Sequence, residues 1–138
     1  MLTGRSAIIT GASQGMGRAI AEDFVQAGAS VFLVARNEEQ LRSVEADLAA
    51  RLRLPGQVVA AHAADVSNPN HCKAVVNRAH AVLPNLTALV NNAGIYGPMG
   101  RIEENDWEEW VAAMQVTALA LYANPAWTKL AASWIAAA

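Results

Sequence analysis

Short apolar runs alternate with longer segments of helical periodicity along this chain. The short runs are rich in alanine and β-branched residues, and they cover positions 5–10, 29–35, 57–64 and 86–90. Continuous apolar runs of this length are typical of strands in a parallel sheet that is covered on both faces. Strands that alternate with helices form βαβ units with right-handed crossovers. The pattern therefore predicts an α/β fold with a doubly wound parallel sheet in the order 3-2-1-4.

The segments between the strands carry helix start and stop signals. In the first helix, positions 16–27, the predicted buried face consists of Met16, Ile20, Phe24 and Ala27. Gly28 follows and is placed to end that helix. The second helix begins after Asn37, an N-cap candidate with Gln40 at the capping-box position. Its predicted buried face consists of Leu41, Val44, Leu48 and Leu52.

The third predicted helix starts after Ser67, which we expect to be its N-cap. Pro69 falls in the first turn, where a missing N–H group is harmless. The predicted buried residues of this helix are Cys72, Val75, Val76, Ala79 and Val82. A last helical region begins near Asp106, and the whole chain, residues 1–138, is interpreted as one domain.

Composition and charge narrow the class of protein. With 54% hydrophobic and 16% charged residues, the chain has the composition of a packed globular domain. A net charge of −2 gives no indication of nucleic acid or an anionic membrane as a partner. The single cysteine excludes an internal disulfide, and no stretch is apolar enough to span a membrane. Because the first strand also leaves no room for a signal peptide, we expect a cytoplasmic protein.

A glycine-rich turn, Thr10-Gly11-Ala12-Ser13-Gln14-Gly15-Met16-Gly17, joins the first strand to the first helix. This arrangement binds dinucleotides, because unpaired N–H groups of the first helical turn face the diphosphate. Gly11 permits the tight turn, Gly15 lets the backbone approach the diphosphate, and Gly17 lets the helix pack close to the strand. The alternative is a turn that binds nothing. A P-loop is disfavoured, because no Gly-Lys-Ser/Thr follows the glycines.

The spacing of these glycines resembles the TGxxxGxG fingerprint of the short-chain dehydrogenase/reductase family. Asn91-Asn92-Ala93-Gly94, at the end of the fourth strand, matches a second motif of that family, NNAG. The resemblance covers residues 1–122, whereas residues 123–138 are interpreted as a divergent helical tail. It implies an incomplete Rossmann-like sheet with a long C-terminal helix, and a nicotinamide dinucleotide as the cofactor.

The resemblance also implies a set of cofactor-binding residues along the carboxyl edge of the sheet. They are Gly11, Ser13, Gln14, Gly15, Met16, Gly17, Arg36, Asn37, Asp65, Val66, Asn91, Ala93 and Gly94. Asp65 is expected to accept a hydrogen bond from the adenine amino group. Asn91 is expected to lie along a ribose, and Asn92 to brace the sheet. As structural alternatives, Asp65 could only begin a turn, and the asparagines could only satisfy backbone groups.

Arg36 follows the second strand, where the ribose of the adenosine half of the cofactor would lie. Sites that prefer NAD have a carboxylate here, but the corresponding residue in this chain is Ala35. A guanidinium group instead suits a 2′-phosphate. We therefore predict that NADP(H) is preferred over NAD(H), with Ser13 and Asn37 assisting Arg36. The alternative is an ordinary arginine that flanks a helix.

In the family, a serine and a Tyr-x-x-x-Lys carry the proton chemistry. Neither Tyr96 nor Tyr122 is followed by a lysine four residues later, and Thr117 stands where many relatives have an asparagine. The other candidate proton carriers or metal ligands are His62, His71 and His80. These histidines do not converge with a carboxylate or the cysteine at metal-ligand spacing. We therefore predict no catalytic residue and no metal site, and we expect no turnover of substrate.

These observations leave three functional hypotheses. The first is the NADP(H)-binding part of a short-chain dehydrogenase/reductase, truncated before its catalytic elements, whose complete relatives move hydride between nicotinamide and a carbonyl or alcohol. The second is a non-catalytic dinucleotide-binding or interaction module, and the third is a truncated product without function. Because relatives use the long helix in their subunit interfaces, we predict a homo-oligomer formed through the helix near residues 107–123.

Overall fold

A computed structural model of the chain describes residues 1–119. Its strands are β1 (Ser6–Thr10), β2 (Ser30–Ala35), β3 (Val59–Ala63) and β4 (Leu86–Val90). Its α-helices are α1 (Gly15–Gln26), α2 (Glu38–Ala49), α3 (Pro69–Val82) and α4 (Trp107–Met114). A 3₁₀-helical turn covers Ile102–Glu104, and a π-helical turn, Gln115–Leu119, follows α4. Strands and helices therefore alternate along the chain, as the apolar pattern predicts.

The four strands form one parallel sheet in the order β3-β2-β1-β4. This confirms the predicted order. The two central strands, β1 and β2, are buried along their whole length, whereas β3 and β4 at the two edges are only half-buried. Such continuous burial explains why the central strands have no alternation of apolar and polar residues.

Successive residues of the central strands point to opposite faces of the sheet, and each face has its own core. On one face, Ile8 and Val34 pack with buried residues of α3 such as Val75. On the other face, Ile9 and Leu33 pack with buried residues of α1 and α2. The two covering layers leave the carboxyl edge of the sheet open, and the loops that follow the strands lie there.

The buried face of α1 differs from the predicted one. Its buried residues are Gly17, Ala21 and Val25, whereas Met16 is 73% exposed. Two of the large residues predicted for this face, Ile20 and Phe24, are only partly buried, at its margins. The close approach is at Gly17, where a Cβ atom would collide with the carbonyl oxygen of Gly11. The predicted face of α1 is therefore wrong by one residue, because the buried positions follow Met16, Ile20 and Phe24.

The N-terminus of α3 also differs from the prediction. Its N-cap is Asn68, whose Oδ1 accepts a hydrogen bond from the backbone N–H of Asn70 at 2.9 Å. Ser67, the predicted N-cap, donates instead to Asp65. At the other end of α3, Val82 is 46% exposed. The chain becomes extended at the next residue, Leu83, and this residue enters the core in its place.

The predicted long C-terminal helix is not confirmed. The structure describes eight α-helical residues in α4 and a π-helical turn after them. The predicted tail, residues 123–138, and the end of the predicted interface helix lie outside the described residues. Asp106 is the N-cap of α4, as the position of the predicted helix start implies. Among residues 1–119, no helix has the length and apolar character needed to cross a bilayer.

Candidate functional site

A cleft of about 590 Å³ lies at the carboxyl edge of the sheet. This volume is within the range of small-molecule sites. Its lining residues are Gly11, Ser13, Gln14, Gly15, Met16, Val34, Ala35, Arg36, Asn37, Gln40, Ala64, Asp65, Val66, Asn92, Ala93, Gly94, Ile95, Tyr96 and Val116. All of the predicted site residues except Gly17 and Asn91 are in this set. Gly17 is buried behind the glycine turn, and Asn91 is exposed at the end of β4.

Two of the glycines in the turn are required by close packing. A Cβ atom on Gly11 would lie 2.7 Å from the Nδ2 atom of Asn92, and one on Gly17 would collide with the carbonyl oxygen of Gly11. Gly15 differs from both, because a Cβ atom there would meet no atom within 4 Å. Its φ of +56° requires a left-handed backbone, and it lines the cleft. The backbone at Gly15 is thus the part of the turn that a ligand can approach.

The start of α1 has no side-chain cap, although the other three described α-helices each have one. Asn37, Asn68 and Asp106 accept a hydrogen bond at the starts of α2, α3 and α4, at 3.0, 2.9 and 2.7 Å. The N-cap of α1 is Gln14, and no side chain within residues 1–119 accepts a hydrogen bond from its first turn. An uncapped first turn retains N–H groups for an anion, and the helix dipole favours negative charge at this end.

Thr10 and Asn92 hold the end of β4 against the glycine turn. The hydroxyl oxygen of Thr10 accepts hydrogen bonds from the backbone N–H groups of Asn92 and Ala93, at 3.1 and 3.0 Å. The amide of Asn92 donates to the carbonyl oxygens of Thr10 and Gly11, at 3.0 and 3.3 Å. These contacts fix the two motifs relative to each other. The bracing role expected of Asn92 matches this geometry, whereas the role of Thr10 was not foreseen from its place in the fingerprint.

Arg36 is exposed at the end of β2 and lines the cleft with Asn37 and Gln40. The side-chain oxygen of Asn37 is already used, because it accepts the hydrogen bond from the backbone N–H of Gln40 that caps α2. The amide N–H₂ of Asn37 is the group that can donate to an anion beside Arg36. Glu38, the nearest acidic neighbour in sequence, has a carboxylate oxygen 3.7 Å from a guanidinium nitrogen of Arg42. Arg36 therefore lines the cleft, and the carboxylate of Glu38 is paired with Arg42 instead.

Asp65 begins a turn and also lines the cleft, so both readings of this residue fit the structure. Its Oδ1 accepts hydrogen bonds from the backbone N–H and the hydroxyl of Ser67, at 2.9 and 2.7 Å. These two hydrogen bonds lower the pKa of the Asp65 carboxyl, partial burial opposes them, and the nearby charge of Arg36 lowers the pKa further. The carboxylate is therefore ionised at neutral pH. Within residues 1–119 its other oxygen, Oδ2, accepts no hydrogen bond from the protein.

The histidines and the cysteine do not form a catalytic cluster. His62 lies on β3 beside a guanidinium nitrogen of Arg78, at 3.1 Å, and its pKa is lowered by burial and by that charge. Cys72 is fully buried, and burial raises the pKa of its thiol. Among residues 1–119, no group of three or more His, Cys, Asp or Glu side chains is arranged to hold a metal ion.

Several lining residues were not identified from the sequence. Gln40 lies one helical turn after Arg36, and Ile95 and Tyr96 follow directly after the NNAG motif, so position along the chain could have indicated all three. Val116 reaches the cleft from the turn after α4. Its neighbour Thr117 lies beside Gly94, 3.8 Å from where a Cβ atom of that glycine would be. No local signal marks Val116, because tertiary packing places it there, whereas the family resemblance singled out Thr117 in the sequence.

Comparison with known proteins agrees with this geometry. A family model described as short chain dehydrogenase matches residues 5–127. The 3beta-hydroxysteroid dehydrogenase 2 of Eggerthella lenta is 34% identical over 116 residues, which make up 84% of this chain and 43% of that protein. This chain therefore spans less than half of the length of that relative.

Solved structures of similar proteins have the same fold. A metagenomic short-chain oxidoreductase in complex with NADP has a TM-score of 0.82 and 35% identity, over 99% of this chain and 59% of that one. The 3-ketoacyl-(acyl-carrier-protein) reductase from Brucella melitensis, complexed with NADH, has a TM-score of 0.79 and 30% identity, over 89% of this chain and 48% of that one. Since the family model covers most of the sequence and the predicted motifs meet in one cleft, the chain belongs to the short-chain dehydrogenase family.

Proposed function

We propose that this chain is the NADP(H)-binding part of a short-chain dehydrogenase/reductase. The observation that carries the proposal is the cleft, in which the uncapped start of α1, Arg36 and Asp65 follow one another along the carboxyl edge of the sheet. Ligands of open α/β sheets bind at this edge, where the strand order reverses. Similar solved proteins with NADP or NADH bound support a nicotinamide dinucleotide as the ligand.

Each part of the cleft fits one part of such a ligand. The backbone between Gly15 and Gly17 would hold the diphosphate through N–H groups, and the free space at Gly15 leaves room for it. Asp65 would accept a hydrogen bond from the adenine amino group through Oδ2. The segment from Asn91 to Gly94 would lie along a ribose, with Asn92 and Thr10 keeping it in place.

Arg36 is the basis for proposing NADP(H) over NAD(H). A guanidinium group forms charge-assisted hydrogen bonds with a phosphate, each with a net value of about 1.5–3 kcal/mol. That corresponds to roughly 10- to 100-fold in affinity. Ala35 cannot accept a hydrogen bond from a ribose 2′-hydroxyl through its side chain, so the contact that favours NAD is absent from this position. Ser13 and the amide N–H₂ of Asn37 would assist Arg36.

A bound nicotinamide would supply hydride for the reduction of a carbonyl or accept it from an alcohol. The cleft of this chain would bind and orient that cofactor, but the sequence contains no Tyr-x-x-x-Lys to move a proton at the substrate oxygen. A second candidate function, a dinucleotide-binding module that acts without turnover, would use the same cleft. The two candidates share the same ligand and differ in whether hydride reaches a substrate.

We further propose a second copy of this chain as a partner, bound through α4. Trp107, Trp110, Val111 and Met114 recur at helical spacing on one face of α4. Three of them, Trp107, Trp110 and Met114, are large exposed apolar side chains. Aromatic residues and methionine are enriched in protein interfaces. The sequence predicts an interface near residues 107–123, of which residues 120–123 lie outside the described residues.

The test of cofactor choice is calorimetric titration of the chain with NADPH and with NADH. We expect NADPH to bind roughly 10- to 100-fold more tightly. Arg36→Ala should bring the two dissociation constants together by weakening NADPH alone. Arg53→Ala, which removes an exposed arginine from the loop after α2, serves as the control. An unchanged NADPH/NADH ratio in Arg36→Ala would refute the assignment, and no heat with either coenzyme would refute the proposed function itself.

A further inference from the structure

The segment Asp65-Val66 is held in place by the first turn of α3, which lies directly beneath it. The backbone N–H of Asp65 donates to Nδ1 of His71, with 3.3 Å between the nitrogens. The thiol of Cys72 donates to the carbonyl oxygen of Val66, at 3.2 Å from Sγ. The backbone N–H of Asn68 donates to the carbonyl oxygen of Asp65 at 3.1 Å. Two adjacent side chains of α3 thus fix two adjacent residues that line the cleft.

Each of these contacts requires one protonation state of its side chain. Nδ1 of His71 accepts a hydrogen bond only when the imidazole is neutral and its proton is on Nε2. The Cys72 thiol can donate only while it is protonated. Burial raises the pKa of this thiol, so it remains a donor throughout the neutral range. Of the two contacts, the one made by His71 is lost when a proton binds its acceptor nitrogen.

We propose that His71 is a positioning residue for the adenine end of the cleft, holding the backbone of Asp65 so that the free carboxylate oxygen faces the ligand. This inference rests on the proposed function, because it assumes that the cleft binds an adenine nucleotide. Ser67 occupies Oδ1 of Asp65, so the orientation of Oδ2 depends on where the backbone at Asp65 is held. His71 is exposed and does not itself line the cleft, so it acts through Asp65.

Protonation of His71 is expected to weaken ligand binding. Protonated Nδ1 no longer accepts a hydrogen bond from the Asp65 N–H. The imidazolium would also attract the Asp65 carboxylate, in competition with the adenine amino group. The charged and titratable groups around this pair are Arg36, which acts on Asp65, and His62, which lies beside Arg78. Both arginines retain their charge over the pH range in which histidines titrate, so they add no pH dependence of their own.

The experiment uses adenosine 2′,5′-bisphosphate, which contains the adenosine half of NADP without the nicotinamide. Calorimetric titrations at several values between about pH 5 and pH 8, the range in which histidines titrate, compare the chain with two variants. His71→Leu removes the acceptor, and His71→Asn retains one, because its Oδ1 is as many bonds from the backbone as Nδ1 of histidine. Circular dichroism at each pH establishes that the proteins are folded. His80→Leu, an exposed histidine of the same helix, is the control.

We expect His71→Leu to bind roughly 2- to 10-fold more weakly than the parent chain at pH 8, as the loss of one hydrogen bond implies. His71→Asn should bind the probe as tightly as the parent chain at pH 8. Its affinity should lack the fall in acid that protonation of His71 causes in the parent chain. His80→Leu should behave as the parent does. Equal affinity of the parent chain and His71→Leu at every pH would overturn the inference, as would identical pH profiles of the parent and His71→Asn. If the parent binds neither this probe nor NADPH, the proposed function fails instead.

Discussion

Gly15 and Gly56 both require a left-handed backbone conformation, but only one of them is near the cleft. Both have a positive φ, +56° and +78°, and a Cβ atom on either would meet no atom within 4 Å. Only Gly15 lines the cleft. The pair therefore separates the cost of a strained backbone from the cost of blocking a ligand.

Alanine at either glycine should destabilise the fold by a similar amount, about 1–2 kcal/mol for a left-handed backbone. Only Gly15→Ala should also weaken NADPH, because its methyl group occupies the space that the diphosphate needs. Contacts of an anion with a helix terminus are worth about 0.3–2 kcal/mol, so we expect roughly a 2- to 30-fold loss of affinity. Urea denaturation and calorimetry measure the two effects. Equal NADPH affinity in Gly15→Ala and Gly56→Ala would show that the diphosphate does not lie at this turn.

Asp65 links the stability of the chain to pH. Its pKa lies below the ordinary value of 3.8, chiefly because of the two hydrogen bonds from Ser67. A carboxyl with a lower pKa in the folded than in the unfolded state stabilises the fold above the unfolded-state pKa. That contribution is lost as the pH falls through the folded-state pKa.

Ser67→Ala removes the hydroxyl hydrogen bond to Asp65 and should raise the pKa of that carboxyl toward its ordinary value. The pH-dependent part of the stability should shrink accordingly, with the difference from the parent present at neutral pH and vanishing in acid. An NMR titration of the Asp65 side-chain carbon measures the pKa directly. Ser43→Ala, at an exposed serine of α2, is the control. An Asp65 titration curve that Ser67→Ala leaves unchanged would contradict this account.

At the scale of the elements, the existence and order of strands and helices follow from local pattern, whereas their orientation does not. The strand β4 coincides with its apolar run, because Pro84 and Asn85 bound that run on one side and the NNAG motif bounds it on the other. The face that α1 buries was misjudged, because closeness to the sheet favours small residues such as Ala21 over larger ones. Distances between elements are properties of tertiary packing, and hydrophobic periodicity carries no information about them.

The same distinction applies to the cleft. The glycines and the NNAG motif follow their strands directly, and parallel strands bring their carboxyl ends together, so the chain order alone predicts that these motifs meet. Val116 and Thr117 reach the site from the turn after α4, and His71 reaches Asp65 from the turn of α3 below it. Each of these contacts depends on how a helix packs on the sheet. Val116 and the contact of His71 were therefore absent from the sequence-based site, whereas Thr117 was singled out only through the family resemblance.

The cap of α3 offers a test at this scale. Asn68 caps the helix whose first turn holds Asp65 and Val66, so Asn68→Ala should destabilise the chain by about 1 kcal/mol. Asn70→Ala, two residues further along the chain, should have a much smaller effect, because only the backbone of Asn70 takes part in the cap. Urea denaturation measures both. A larger loss of stability in Asn70→Ala than in Asn68→Ala would show that Ser67 or another residue is the N-cap of α3.

At the scale of the whole molecule, apolar surface is distributed unevenly. The large side chains of β1 and β2 are buried in the two cores. Exposed large apolar residues are concentrated in α4 and in the segment that leads to it. Those in the leading segment are Ile95, Tyr96, Met99 and Ile102. Large exposed apolar patches are typical of protein interfaces.

Self-association through α4 can be tested with two substitutions that are closely matched. Met114 and Val82 are the last residues of α4 and α3, and they are 53% and 46% exposed. A lysine at either place replaces an exposed apolar side chain with a charged one, so neither change should disturb the fold. Only Met114→Lys places a charge on the proposed interface. Light scattering over a range of concentrations should show an oligomer for the parent chain and for Val82→Lys, and a shift toward monomer for Met114→Lys. A parent chain that remains monomeric at high concentration would rule out the interface. Dissociation caused equally by both substitutions would show that the interface does not lie on α4.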